Sequence, residues 1–326
     1  MPELNPNQPN QGAALAASPA ILGDDDLVQP FMLESSGFRG DLARLGSVVE
    51  RIVTQHAYPD PLAALLGEML TLTALLAHRI KFDGVFSLQA KGDGAVAFMV
   101  ADMTSAGDLR GYAGFDRDRL EDMLSGAGPD RGARRAPVRA LLGEGYLACT
   151  VDQGPETERY QGIVALDGES LADCLQHYFR QSEQIQTGLV LAAGKVDSAW
   201  RSAGLILQRL PDPGAKSHYA EFKDPESQDG DAWRRAMILL ASCSAEELLD
   251  PGLAVNDLLY RLFHQEGVRV FRRRGLAARC RCSRKRLEQT LRAMPRARIE
   301  DLEVDGEVVV TCEFCNRSYA FDWAAP

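Results

Sequence analysis

Apolar and polar positions sort the chain into segments of distinct period. "QPFMLESSGFRGDLARLGS" (29–47) alternates loosely around a polar break and predicts strand, turn and strand. "DPLAALLGEMLTLTALLAHRI" (60–80) has little polar surface and predicts a helix. Its apolar run, Leu62–Ile80, is interrupted by Glu68, Thr71, Thr73 and His78, so it is too short and polar to span a bilayer and is expected as a buried core helix. Residues 85–115 carry two strand-like runs around Gly-Asp-Gly and a third after Ser105–Gly107, a meander pattern. A further strand pair is expected at Tyr146–Val151 and Tyr160–Leu166, then a helix over 170–187, then apolar runs at 188–193 and 203–210.

Beyond Leu210 the pattern changes. "PDPGAKSHYAEFKDPESQDGD" (211–231) is polar and rich in Pro, Gly and Asp, as in a linker or insertion. An amphipathic helix follows from Ala232 to about Ala241, with Trp233, Ala236, Met237, Leu240 and Ala241 on one face. Ser244 and Glu247 fit a capping box, and Asn256 or Asp257 could start a helix through Leu258, Leu259, Leu262 and Phe263. The apolar faces of these helices are expected to pack on the C-terminal segment. That segment predicts a short helix within Arg279–Met294 and strands at Ile299–Val304 and Glu307–Thr311 around an Asp305-Gly306 turn.

The fold class expected is α+β: an N-terminal α/β core over 29–210 with a meander-type sheet, a helical linker over 211–265, and a small C-terminal four-Cys zinc-binding domain over 266–326. Residues 1–28, with their Pro, Asn, Gln and Ala, read as a disordered leader without the basic region of a secretory signal.

Charge divides the chain unevenly. Thirty-six basic and 46 acidic residues give a formal net charge of −10. Between Phe271 and Arg298, however, eleven Lys and Arg face one acid, Glu288, so a local +10 sits on a body of −20. An acidic body argues against a nucleic-acid or membrane role for the whole chain.

Candidate chemistry concentrates in that basic stretch. "ARCRCSRKR" (278–286) and "TCEFCNR" (311–317) place Cys280-x-Cys282 and, after 29 intervening residues, Cys312-x-x-Cys315. Two close thiol pairs suit a tetrahedral Zn²⁺ site, and a closed four-sulfur shell leaves no open position for hydrolytic chemistry. A module of about sixty residues has a thin core and gains most from such a staple. The arginines allow two readings: compensation of the thiolate charge, or a zinc ribbon gripping phosphates through residues 272–298. Cys149, Cys174 and Cys243 read as core positions, and Lys91-Gly92-Asp93-Gly94 reads as a hairpin turn. The five histidines (56, 78, 177, 218 and 264) pair with no nucleophile, no Gly-x-Ser-x-Gly elbow occurs, and no enzymatic activity is expected.

The cysteine pattern, with "CRCSRKRLEQTLRAM" and "CEFCNRSYAFD", resembles the 33 kDa heat-shock chaperonin family of bacteria, as do "LLGEMLTLTALLAHRIKFDG" (65–84), "GDLRGYA" (107–113), "YFRQSEQIQT" (178–187) and "LLYRLFHQEGVRVF" (258–271). The resemblance covers about 29–326. It implies a cytoplasmic, ATP-independent holdase that binds one zinc ion through Cys280, Cys282, Cys312 and Cys315 when reduced. Oxidation is then expected to form the disulfides Cys280–Cys282 and Cys312–Cys315, expel zinc, unfold the linker and favour a homodimer that binds unfolding client proteins. No membrane or nucleic-acid partner is implied.

Overall fold

The computed structural model describes residues 24–125, 137–153, 160–209, 228–295, Ile299, 303–304 and 307–322. Strands β1 (Leu27–Leu33) and β2 (Phe38–Leu45) are followed by helices α1 (Ser47–Thr54) and α2 (Asp60–Arg79). The expected meander is β3 (Val85–Gly92), β4 (Val96–Thr104) and β5 (Asp108–Phe115). Next come α3 (Arg117–Ser125), α4 (Val138–Leu142), β6 (Gly145–Asp152), β7 (Tyr160–Ala165), α5 (Leu171–Gln181), β8 (Thr187–Val196) and β9 (Ala199–Gln208). The linker region supplies α6 (Gln228–Ala241), α7 (Ala245–Leu249) and α8 (Val255–Phe263). Short strands β10 (Val268–Val270), β11 (Arg274–Gly275) and β12 (Ala277–Ala278) lead to α9 (Arg284–Arg292) and a hairpin region of β13 (Glu303–Val304), β14 (Glu307–Thr311) and β15 (Ser318–Asp322).

Three sheets result. The first runs β10-β1-β2-β9-β8, with β11 also pairing β1, and the second runs β12-β5-β4-β3-β6-β7. The third, β13-β14-β15, belongs to the C-terminal module. Helix α2 lies between the first two sheets, touching β2, β8 and β9 on one side and β3, β4 and β5 on the other. That position explains its lack of a polar face: an element covered on two sides must be apolar on both. Its two interrupting threonines are satisfied internally: Thr71 Oγ1 donates to Ser202 Oγ at 2.8 Å and Thr73 Oγ1 to the Met69 carbonyl at 2.7 Å. α2 is the only described helix long and apolar enough to cross a membrane, and it is buried in the core.

Two expectations are corrected here. The leader expected through residue 28 ends earlier, because Leu27 and Val28 are buried strand residues and the preceding acids hold the fold together. Asp26 caps α1, accepting from the amides of Gly46 (2.9 Å) and Val48 (3.0 Å) and from Ser47 Oγ (2.5 Å), while Asp25 pairs with Arg201. Asp24 pairs with Arg273 at 3.1 Å. An acidic triplet has no apolar period, so its capping role is silent in sequence. Residues 1–23 and the polar stretch 210–227 lie outside the described residues, and α6 starts at Gln228 rather than Ala232.

The second correction concerns the linker helices. Their apolar faces pack on the outer face of the first sheet, not on the C-terminal module. Ala236, Leu240, Leu258, Leu259, Leu262 and Phe263 form one buried cluster with Phe31, Phe38, Leu42, Leu205 and Leu207. Phe263 stacks on Phe31 at 5.8 Å between ring centroids, and Trp233 meets Phe38 edge-on at 5.2 Å. The sheet's other face is occupied by α2, so its outer face needs a second cover, and three amphipathic helices supply it. The capping box of Ser244 and Glu247 forms as expected. Arg44, fully buried on β2, donates to the Leu253 carbonyl at 2.7 Å and anchors the α7–α8 connection.

Candidate metal centre and its docking to the core

Residues 268–278, read from the sequence as the start of the C-terminal domain, run along the core instead. β10 and β11 pair with β1, and β12 pairs in parallel with β5, its Ala277 amide donating to the Gly107 carbonyl and the Arg279 amide to the Leu109 carbonyl, both at 3.0 Å. Gly107 has φ +93°, and a Cβ there would lie 2.7 Å from the Gly275 carbonyl oxygen, so glycine is what lets this tether approach. The first cysteine pair is therefore delivered from the end of a strand fixed to the second sheet.

The module beyond it is small. Among the described residues its core is Leu291, Ile299, Val308 and Phe321, with Leu287, Val310 and Tyr319 packed alongside. Helix α9 is capped by Ser283, whose side chain accepts from the Arg286 amide. The second cysteine pair occupies the turn between β14 and β15. There the Cys315 and Asn316 amides both point at the Cys312 carbonyl (3.3 and 2.8 Å), and Asn316 takes a positive φ of 54°, which asparagine tolerates.

These two turns bring all four expected cysteines together. The Sγ atoms of Cys280, Cys282, Cys312 and Cys315 lie within 4.8 Å of one another, half-buried, in an arrangement that could hold a metal ion. The close approaches run between the pairs: Cys280 to Cys312 at 3.7 Å and Cys282 to Cys315 at 3.4 Å. Tetrahedral bonds of about 2.3 Å would set sulfurs about 3.8 Å apart, so the shell has the right size for such a centre. Its electrostatics agree. Burial opposes ionisation of Cys282, but hydrogen bonds from Tyr319 Oη (3.2 Å) and the neighbouring thiols outweigh it and bring its pKa down to about 7. Burial and the Cys282 thiolate push Cys315 up to about 12, and burial with Cys280 raises Cys312. Adjacent thiols that compete for one negative charge can all ionise only around a cation. Cys149, Cys174 and Cys243 stand apart as core residues; burial pushes the thiols of Cys149 and Cys243 up to about 11.

What seats the module on the core was not legible as a motif. Asp102, buried on β4, accepts from Ser87 Oγ (2.6 Å), from Arg110 Nε and Nη2 (2.8 and 2.6 Å), and from Arg281 Nη2 (2.5 Å). Arg281 is the residue between the first two cysteines, so the cysteine loop is pinned directly to a core strand. Across the same seam the Arg110 guanidinium stacks on Phe314, 3.7 Å from the ring centroid, and Asn316 Nδ2 donates to the Gln55 carbonyl at 3.2 Å. The one sequence signal was a carboxylate inside the apolar strand run 96–104, a local exception that calls for a partner. The basic stretch is largely spoken for: Arg273 pairs with Asp24, Arg274 donates to the Thr104 and Ser105 carbonyls, Arg279 faces Asp108 at 3.6 Å, and Arg292 pairs with Glu288 at 2.8 Å.

Comparison with known proteins agrees along the chain. A family model described as Hsp33 protein matches residues 26–322. The 33 kDa chaperonin of Caulobacter vibrioides is 38% identical over 303 residues, covering 91% of this chain and 95% of its own. That of Azotobacter vinelandii is 40% identical over 303 residues, covering 92% and 93%. Among solved structures, the crystal structure of the 33 kDa chaperonin homologue from Thermotoga maritima superposes with a TM-score of 0.73 at 20% identity, over 92% of this chain and 95% of that one. With its cysteine shell, its α2-centred double-sheet core and these relatives together, the chain belongs to the Hsp33 family of chaperones.

Proposed function

We propose that this chain is a redox-regulated, ATP-independent holdase of the cytoplasm, with one zinc ion held by Cys280, Cys282, Cys312 and Cys315 in the reduced state. The observation that carries this reading is the direct line from the thiol shell to the linker's resting place. The shell closes the module, the module is pinned through Arg281 to Asp102, and its tether continues through β12, β11 and β10 to β1. The opposite face of β1's sheet edge carries Phe31, against which Phe263 of the linker is stacked.

Bound zinc would supply roughly 10–16 kcal/mol of apparent folding energy to a module whose own described core is four buried residues. Oxidation removes the donors. In each pair two thiolates give two electrons to one hydrogen peroxide, which takes up two protons and leaves as two waters while an S–S bond forms. The pairs expected are Cys280–Cys282 and Cys312–Cys315. A module without its staple no longer holds Arg281 on Asp102. Release of the tether frees the edge of the first sheet, and departure of α6–α8 exposes Leu27, Phe31, Leu33, Phe38, Leu42 and Leu207, an apolar face suited to unfolded clients. The acidic body keeps a loaded complex soluble, and a homodimer of the oxidised form would widen the surface. The pairing of the arginines with protein carboxylates and carbonyls speaks against a nucleic-acid role.

The test measures zinc release and suppression of client aggregation on one sample, before and after peroxide. Release of one zinc per chain with a rise in suppression is expected. Equal suppression by the reduced, zinc-loaded protein, or retention of zinc after both pairs have oxidised, refutes the reading.

A further inference from the structure

The second sheet packs one face on α2 and turns the other outward. A sheet face open to water is normally polar. This one carries Tyr112 of β5, Phe98 and Val100 of β4, Tyr146 of β6 and Ile163 of β7. Their pairings place them in two adjacent rows across the strands: Phe98 opposite Lys91 opposite Tyr146, and Tyr112 opposite Val100 opposite Gln89 opposite Ala148 opposite Ile163. Phe98, Tyr146 and Ile163 are exposed. Phe98 is set there by the backbone. The pairing of β4 with β5 shifts register between Val96 and Phe98, so Ala97 and Phe98 are both exposed, and such bulges re-aim side chains. A Cβ on Gly114 would lie 2.4 Å from the Phe98 ring, so the ring rests over that glycine.

One end of this face is already occupied, and by an aromatic ring. Phe314 packs on Arg110, 3.7 Å from guanidinium to ring centroid, and on Tyr112, 6.4 Å between centroids. Tyr112 lies 5.6 Å from Phe98 and 5.3 Å from the His56 ring. These separations are those of interacting aromatic pairs, and the guanidinium adds a cation over the ring. The filled seat is therefore continuous with the exposed aromatics beside it. Phe314 belongs to the loop between Cys312 and Cys315, so its seat empties when the module leaves the core.

We propose that the outer face of the second sheet is a second client-binding surface, which takes aromatic side chains of an extended, unfolded polypeptide. At rest Phe314 fills its first seat as a stand-in for the client. The proposal rests on the holdase reading and deepens it, because it assigns client contact to a sheet on which α6–α8 do not pack. The first sheet is uncovered by departure of the linker helices. This face is completed one step earlier, when the module lifts and Arg110, Tyr112 and Phe98 become one open patch.

The experiment places a photoreactive benzophenone side chain at Gln89, an exposed position in the middle of the face, in the full-length protein. The protein is irradiated with a disulfide-free, permanently unfolded protein as client, before and after peroxide, and client affinity is followed in parallel by fluorescence anisotropy. Crosslink yield should rise several-fold on oxidation. Phe98→Ser and Tyr146→Ser, both at exposed positions, should each weaken client binding by the oxidised protein about three- to tenfold, with peroxide-induced zinc release unchanged. An oxidised parent protein that binds no client refutes the holdase reading and this proposal with it. Client binding that both variants retain in full, or a crosslink yield unchanged by oxidation, overturns this proposal and leaves the holdase reading standing.

Discussion

Replacing Asp102 by asparagine tests how the metal module is held to the core. Asp102 is 4% exposed and accepts four hydrogen bonds, three of them from guanidinium groups. The Arg110 bonds lie within the second sheet, whereas the Arg281 bond at 2.5 Å crosses to the module. A hydrogen bond to a charged group contributes about 1.5–3 kcal/mol. Arg281 is 30% exposed at its side chain, so partial rehydration on undocking places the docking share toward the lower end of that range. Loss of about 1.5–3 kcal/mol corresponds to roughly 10–150-fold more of the undocked form. Native-state hydrogen exchange at the Ala277 and Arg279 amides reads this population directly, because their acceptors, the Gly107 and Leu109 carbonyls, belong to the core. Zinc loss to a chelator should accelerate in parallel. Arg281→Met should cost a similar amount, and the double variant less than the sum, with a coupling of about 1 kcal/mol or more. Exchange at both amides within twofold of the parent protein, or strict additivity, would show that the ion pair does not seat the module.

Other outcomes follow from the same contacts. A zinc chelator under reducing conditions should abolish protection of the amides in β14 and β15 while leaving those of β3 and β4 intact; simultaneous loss in both places would mean that module and core do not unfold separately. Phe263→Ala removes a fully buried ring stacked on Phe31 at a cost of about 3–5 kcal/mol, and should give aggregation suppression without oxidant; an inactive reduced variant would count against the linker as the cover of the client surface. Glu266 is held below its ordinary value of 4.5 by the Arg235 hydrogen bond (2.8 Å) and that of Ser35, against the opposing effect of burial. A depressed carboxylate stabilises above its unfolded pKa and loses that contribution as pH falls through the lower, folded value, so α6 should loosen below about pH 4.5. Trp233 fluorescence in a Trp200→Phe, Trp323→Phe background would report this, and Glu266→Gln should flatten the acid dependence.

The sequence by itself determined the elements and the chemistry of the shell. Period-two runs located the strands, an apolar stretch without a polar face identified α2 as a core helix, and Ser244 with Glu247 marked a helix start that formed as expected. Four cysteines in two close pairs named the candidate donor set that the fold brings together, because soft ligands at short spacing leave few alternatives. These properties are local, carried by period, capping and side-chain type. Only the tertiary structure decided which surfaces meet. An amphipathic face records that a helix must be covered, not by what, so α6–α8 could be assigned to the module until the first sheet was seen to need an outer layer. Asp24, Asp25, Asp26 and Asp102 carry no period at all. Their roles arise from partners tens to hundreds of residues away, and a charge acquires its meaning from the opposite charge that folding brings beside it.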